Sequence, residues 1–215
     1  MTKNMIVSYI DGMNNIYPSQ RGRPREFDTE RALQQAVRQF SVYGYHGTSI
    51  ADLNRALNLT SGSIYKAWGD KRGLFLATLD YYIAQRIESV QAATAAAAAD
   101  SGREKVYAFL AAYAKLSSGS EGRQGCLIVG TAVELSAYDD EIARRLAAQQ
   151  QRWESQLSRL LEEGQQDGSV AASCEPAVTA TLLIALTRGM RVLGKTGASE
   201  ESMTRIIHKA MCLLD

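Results

Sequence analysis

From residue 25 to residue 175 the chain contains no proline; its three prolines are Pro18, Pro24 and Pro176. A run of that length, rich in Ala, Leu, Gln, Arg and Glu, is helix-forming material and argues against a many-stranded sandwich. Hydrophobic residues make up 46% and charged residues 22% of the 215, enough apolar material for a core and too little charge for wholesale disorder. The length suits one large or two small domains.

Apolar spacing fills the chain with helices. Asp28 is placed to cap the first, in which Leu33, Ala36, Val37 and Phe40 recur at i, i+3, i+4 and i+7. Tyr43-Gly44-Tyr45-His46-Gly47 breaks that pattern, and Thr48 is expected to cap a second helix carrying Ile50, Leu53 and Leu57. Asn58 tolerates the left-handed backbone that ends a helix, and Thr60 caps a third, short helix to about Trp68. A long helix is expected from Lys71 to about Ala99, its alanine-rich end reflecting plain helix propensity. Further helices are predicted at 103–117, 125–136, 139–163, 175–195 and 199–214, with Gly/Ser/Asp-rich breaks such as Ser117-Ser118-Gly119-Ser120 between them. The expectation is an all-α chain of about nine helices. It divides into a flexible basic arm over 1–25, a three-helix unit over 26–71 and a helical bundle over 72–215.

The formal charge is only +1, yet residues 1–75 carry ten basic against six acidic groups, and the remainder fourteen against seventeen. A polyanion partner would therefore sit at the N-terminal end. Cys126, Cys174 and Cys212 are odd in number and widely spaced, which fits reduced thiols in a cytosol better than disulfides. No apolar run reaches the ~18–20 residues that span a bilayer, and the leader lacks a basic-then-apolar secretion pattern. The expectation is a soluble cytoplasmic protein with no membrane partner. With only His46 and His208, no H-E-x-x-H, no cysteine cluster and no G-x-S-x-G, no catalytic residue, metal or cofactor is expected.

The second and third helices, separated only by Asn58-Leu59-Thr60, read as a helix-turn-helix. At about 100° per residue, Ile64, Ala67 and Trp68 fall on the side expected to be buried. Gly62 and Lys66 then point outward, with Ser63 and Tyr65 on the flanks. A face of hydroxyls, a cation and a glycine suits close approach to phosphates and base edges. Backbone N–H groups at Thr48 and Thr60, and the Lys71 cation, are expected to add phosphate contacts. Taken singly, each of Lys66 and Lys71 is better read as an ordinary solvated side chain.

These residues resemble the DNA-binding domain of the TetR (tetracycline-repressor-like) transcriptional regulators over Phe27 to Phe75. The resemblance lies in Thr48-Ser49-Ile50-Ala51-Asp52-Leu53, in Ala56-Leu57-Asn58-Leu59-Thr60, and in Ser63-Ile64-Tyr65-Lys66-Ala67-Trp68-Gly69-Asp70-Lys71. The family's Tyr-x-x-Phe-x-x-Lys-x-x-Leu pattern appears as Tyr65, Trp68, Lys71 and Leu74, with Trp in place of Phe; Asn58 stands where Gly is common. The resemblance implies a homodimeric repressor that binds a double-stranded operator, is released by a small-molecule inducer and dimerises through its last two helices. It also implies that Thr48, Tyr65 and Lys71 grip phosphates, while Ser61, Gly62, Ser63 and Lys66 approach bases or backbone in the major groove. Immediately upstream, Arg21-Gly22-Arg23-Pro24-Arg25 is flat and cationic, which suits Arg23 to a narrow A·T-rich minor groove. Its plainer reading is a solubilising linker.

The segment from Gly125-Cys126 to Leu135 resembles the sixth helix of a subset of the family in which a cysteine senses electrophiles or oxidants. A thiol at a helix N-terminus beside Arg123 is placed for such chemistry; the competing reading of Cys126 is a small buried hydrophobe. An inducer pocket is expected among the helices between 80 and 190, with Tyr107, Tyr113, Trp153 and Met190 as candidates, although aromatics at helical spacing are usually core. Leu182, Leu183, Leu186, Met190 and Leu193, then Met203, Ile206, Ile207, Ala210 and Leu214, make the last two helices amphipathic. That pattern serves a dimer interface or an intramolecular core equally well.

Overall fold

The computed structural model describes residues 27–97 and 99–215; the basic arm over 1–25, Arg23 included, lies outside the described residues. All regular structure among the described residues is helical: α1 (Thr29–Tyr43), α2 (Ile50–Leu57), α3 (Ser61–Trp68), α4 (Lys71–Ala96), α5 (Gly102–Leu116), α6 (Gly119–Gln124), α7 (Leu127–Leu135), α8 (Asp140–Asp167), α9 (Pro176–Lys195), α10 (Glu200–Ala210) and a 3-10 turn over Met211–Leu214.

Local chemistry sets most of these ends. Asp28 accepts a hydrogen bond from the Arg31 N–H at 3.2 Å, as expected for a cap. The cap of α2 is Ser49, not Thr48. Its hydroxyl accepts from the Asp52 N–H at 3.2 Å while the Asp52 carboxylate accepts from the Ser49 N–H at 2.9 Å, a reciprocal capping box. Thr48 is buried, and its hydroxyl donates to the Gly44 carbonyl at 2.7 Å. Asn58 closes α2 at φ 53, the single non-glycine residue with positive φ among the described residues. Thr60 caps α3, accepting from the Ser63 N–H at 3.2 Å.

Two segments depart from the sequence expectation. The break at 117–120 opens directly into the short helix α6, and α8 continues to Asp167. α6 has no side-chain cap; it is held by close backbone packing. A Cβ on Gly194 would lie 2.1 Å from the Ser117 carbonyl oxygen, and one on Gly122 would lie 2.5 Å from it, so only glycines let α5, α6 and α9 meet there.

From Leu33 to Asp215 the contacts gather into one compact unit. α5 lies at its centre, packed against α4, α8, α9 and α10, and α8 pairs along α9. Phe109 and Trp153 meet edge to face at 5.2 Å, with Leu110, Leu157 and Leu161 fully buried around them. Each such side chain contributes roughly 1.5–3 kcal/mol of transfer free energy. α9 is long and apolar enough to cross a bilayer by length and composition, contrary to the sequence expectation. Its inner face, with Leu183, Ile184, Thr187 and Met190 buried, belongs to the core of this bundle.

Candidate nucleic-acid interface

α3 is two turns long and packs chiefly on α2 and α4. Ile64 is its fully buried residue and Trp68 is half-buried, but Ala67 is exposed, which corrects the sequence expectation. With support on only two sides, the buried strip of α3 is narrower than a helical wheel suggests. Outward stand Gly62, Lys66 and Tyr65, the last 48% exposed, with Ser61 and Ser63 partly exposed beside them. Ser61 accepts from the Asn54 amide at 2.8 Å, and the Ser63 and Thr60 hydroxyls lie 3.0 Å apart, so these side chains are already oriented. A Cβ on Gly62 would meet nothing nearer than the Thr60 hydroxyl at 3.8 Å. Among the described residues nothing requires glycine there.

The turn between α1 and α2 is a small built object. Lys71 donates to the Tyr45 and Thr48 carbonyls, both at 3.0 Å, with its ammonium 4.2 Å from the centre of the Tyr45 ring. Tyr45 in turn packs on Phe75, and Phe75 edge-on against Phe40, each pair at 4.9 Å. Burial, followed by the charge of Asp70, holds the Tyr45 hydroxyl above its ordinary pKa.

Glu134, at the end of α7, caps this turn from outside, and sequence reasoning missed it. Its carboxylate accepts from the Tyr45 N–H at 2.9 Å and the His46 N–H at 2.7 Å. Gly44, at φ 76, leaves it room: a Cβ there would lie 2.7 Å from a Glu134 oxygen. Glu134 is the one charge in the sequence LIVGTAVEL of α7, a signal that was available. Lys195, the last residue of α9, donates to the Ser41 carbonyl on α1 at 3.2 Å. A third link joins Arg72 to Asp139 at 2.9 Å and Glu141 at 2.8 Å; Arg145 continues it to Glu141 at 2.8 Å and Asp80 at 3.1 Å. Hydrogen bonds from Arg72 hold the Asp139 and Glu141 carboxyls below their ordinary range, whereas burial pushes Asp80 up.

Model-based and pairwise similarity agree with this geometry. The family described as bacterial regulatory proteins, tetR family, matches residues 32–78, and the tetracyclin repressor-like C-terminal domain matches residues 102–210. The chain is 30% identical over 186 residues to the HTH-type transcriptional repressor ComR of Escherichia coli K12, covering 86% of this chain and 88% of that protein. The chain belongs to the TetR family. Among solved structures it is similar to the TetR family regulator CifR, a cysteine mutant complexed with 26-base-pair operator DNA. That likeness has a TM-score of 0.79 at 28% identity, over 90% of this chain and 100% of that one. A TetR regulator from Chloroflexus aurantiacus gives 0.76 at 25% identity, over 85% and 91%.

Within the TetR architecture, α2 and α3 are the helix-turn-helix, and the C-terminal domain match spans α5 to α10. Of the residues that the family pattern assigned to phosphates, Tyr65 faces out, while Thr48 and Lys71 turn their side chains into the α1–α2 turn. Of the four inducer candidates, Tyr113 and Trp153 flank the same Phe109 ring. Met190 and Trp153 are core. Tyr107 lines an open, alanine-walled depression of about 410 Å³ between α5 and the end of α4, with its ring 5.8 Å from that of His208. Tyr113 alone joins a polar cluster inside the bundle, where the Tyr82 hydroxyl reaches the Cys126 sulfur at 3.6 Å. Cys126 therefore meets Tyr82, and His208 meets Tyr107. Cys174 is buried against Thr179, and Cys212 is exposed.

Proposed function

We propose that this TetR-family protein is a transcriptional repressor that binds a palindromic double-stranded operator as a homodimer and is released by a small-molecule inducer held in the bundle. In this reading residues 26–71 read DNA, α3 enters the major groove, and the arm over 1–25 lays Arg23 in the adjoining minor groove. It works in the cytoplasm, with no catalytic step of its own. Two copies would place their α3 helices about one DNA turn apart, roughly 34–36 Å, or a multiple of it. The inducer acts by binding the DNA-incompetent arrangement better, and a 5–150-fold effect needs about 1–3 kcal/mol of such coupling.

The observation that carries the reading is Gly62. Glycine inside a helix costs about 0.5–1 kcal/mol relative to alanine, and none of the described residues demands it at this exposed position. Close approach of an external backbone would explain it, and Ser61, Ser63, Tyr65 and Lys66 around it are the donors such a backbone needs. The name of ComR and the operator complex of CifR support the same conclusion. For the dimer, α9 leaves Val178, Leu182, Val192 and Leu193 exposed, with open space over Gly189 between them. α10 turns Glu200, Glu201, Arg205 and Lys209 outward, so of the last two helices α9 is the apolar one.

The test is fluorescence anisotropy with a labelled fragment of the gene's own upstream region against scrambled DNA, at about 150 mM salt. Gly62→Ala should raise the melting temperature yet weaken specific binding at least tenfold; unchanged binding would remove the main support. Lys66→Ala should weaken binding to both DNAs and lower the salt slope by about one.

A second reading makes Cys126 a thiol switch on the same scaffold, favoured by its contact with the Tyr82 hydroxyl. Cys126→Ser should then abolish release by oxidant while operator affinity is retained. A variant that still responds rules this reading out.

A further inference from the structure

Arg191 lies on the inner side of α9 and is 3% exposed. Its Nη2 donates to the Gly125 carbonyl at 2.7 Å, and its Nη1 is buried without a partner. It forms no ion pair among the described residues. A second guanidinium, Arg86 on α4, pairs with Glu121 at 2.6 Å and lies 4.8 Å from the centre of the Tyr82 ring; its Nε is likewise buried without a partner. Burial raises the Tyr82 and Tyr113 hydroxyls while both arginines pull them down, so the two cations stand within electrostatic reach of both phenols.

α4, α5, α6, the start of α7 and α9 thus bring together two cations, two phenols and a thiol, with Glu121 the one carboxylate paired to either cation among the described residues. The balance is one uncompensated positive charge. Removing a guanidinium from water without a counter-ion is costly, and the usual remedy is an anion that also satisfies the spare donors. Phe109, whose ring is 5.2 Å from Tyr113 and from Trp153, offers an apolar wall beside the phenols.

We propose that this cluster is the effector site of the bundle and that its ligand is a small organic monocarboxylate, seated on Arg191 Nη1 and Arg86 Nε. The proposal rests on the inducer-responsive reading above. A monoanion matches the single surplus charge, whereas a phosphate dianion would leave a buried negative charge over. The Tyr82 and Tyr113 hydroxyls are further donors, and the organic body lies towards Phe109.

The test is calorimetric titration of the full-length protein with acetate, butyrate, hexanoate and benzoate, each against its neutral amide, with inorganic phosphate as a further ligand. At least one acid should bind at least tenfold more tightly than its amide and than phosphate. That preference should vanish in Arg191→Gln, whose melting temperature should not fall, because the substitution removes an unpaired buried charge. If Arg191→Gln does not fold, Arg86→Gln is titrated in its place and should lose the preference instead. Failure of every acid to bind, equal binding of acid and amide, tighter binding of phosphate, or survival of the preference in the folded variant each overturns the proposal. Anisotropy on operator DNA, run in parallel, separates the two readings: acid binding without DNA release keeps the site and sinks the inducer reading.

Discussion

At Asn58 the backbone turns left-handed, at φ 53, and the placement of α3 depends on that one residue. Glycine accepts this conformation freely and asparagine tolerably, while β-branched residues resist it. Asn58→Gly should therefore leave the urea midpoint nearly unchanged, and Asn58→Val should cost about 1–2 kcal/mol. Glu134 works at longer range. One carboxylate satisfies two backbone N–H groups, one part-buried and one exposed, and each such hydrogen bond is worth about 0.5–1.5 kcal/mol. Glu134→Ala should destabilise by that amount and loosen the α1–α2 turn, so operator affinity should fall even though Glu134 is far from α3 in sequence. Glu134→Gln, which keeps one acceptor oxygen, should fall between; a variant with unchanged stability would show the cap to be dispensable. Asn58 and Thr60 were legible in the sequence because their partners lie within four residues. Glu134 and Arg191 were not, since their partners stand 89 and 66 residues away.

Among elements, the junction of α4 with α8 is held by charge. In the folded chain Arg72 keeps Asp139 and Glu141 below their ordinary values of 3.8 and 4.5. A carboxylate held low contributes stability that is complete above its ordinary value and lost as pH falls below it. Asp80 works the other way: burial raises it, so acid relieves a cost there. The wild-type melting temperature should drop between about pH 6 and about pH 3.5, and Arg72→Met should flatten that drop while lowering the value at neutral pH. Parallel curves for the two proteins would show the link to be idle. The same scale explains what the pattern of residues concealed. α1, α4, α8 and α9 carry long apolar stripes and were readable. α6 has six residues, no stripe and no cap, and it exists because Gly122 and Gly194 admit the Ser117 carbonyl, information held in two distant segments. The capping of α2 was in fact written locally: Ser49 has an acid three places on, and Thr48 has Ala51.

For the whole molecule, the outer face of α9 is the face proposed to meet a second copy. Placing a charge in the middle of an obligate apolar interface leaves it desolvated and unpaired. If the proposed dimer forms through α9, Leu182→Glu should convert it to a monomer in sedimentation velocity and abolish operator binding without lowering helix content by circular dichroism; a variant that remains dimeric would send the interface elsewhere. The all-α architecture could be read from proline spacing and apolar period alone, because helices declare themselves locally. How they stack could not, since α5 touches five others through contacts that no single segment encodes. The Ser117 clasp then acquires a mechanical meaning. Backbone pressed against backbone has no side chain to re-seat, so a side chain at Gly194 would have to part α9 from the end of α5. Arg191 lies three residues to one side of that contact, and Lys195, whose ammonium holds the Ser41 carbonyl of α1, lies just beyond it on the other. One backbone contact thus fixes where α9 stands both for the buried guanidinium and for the tie to α1.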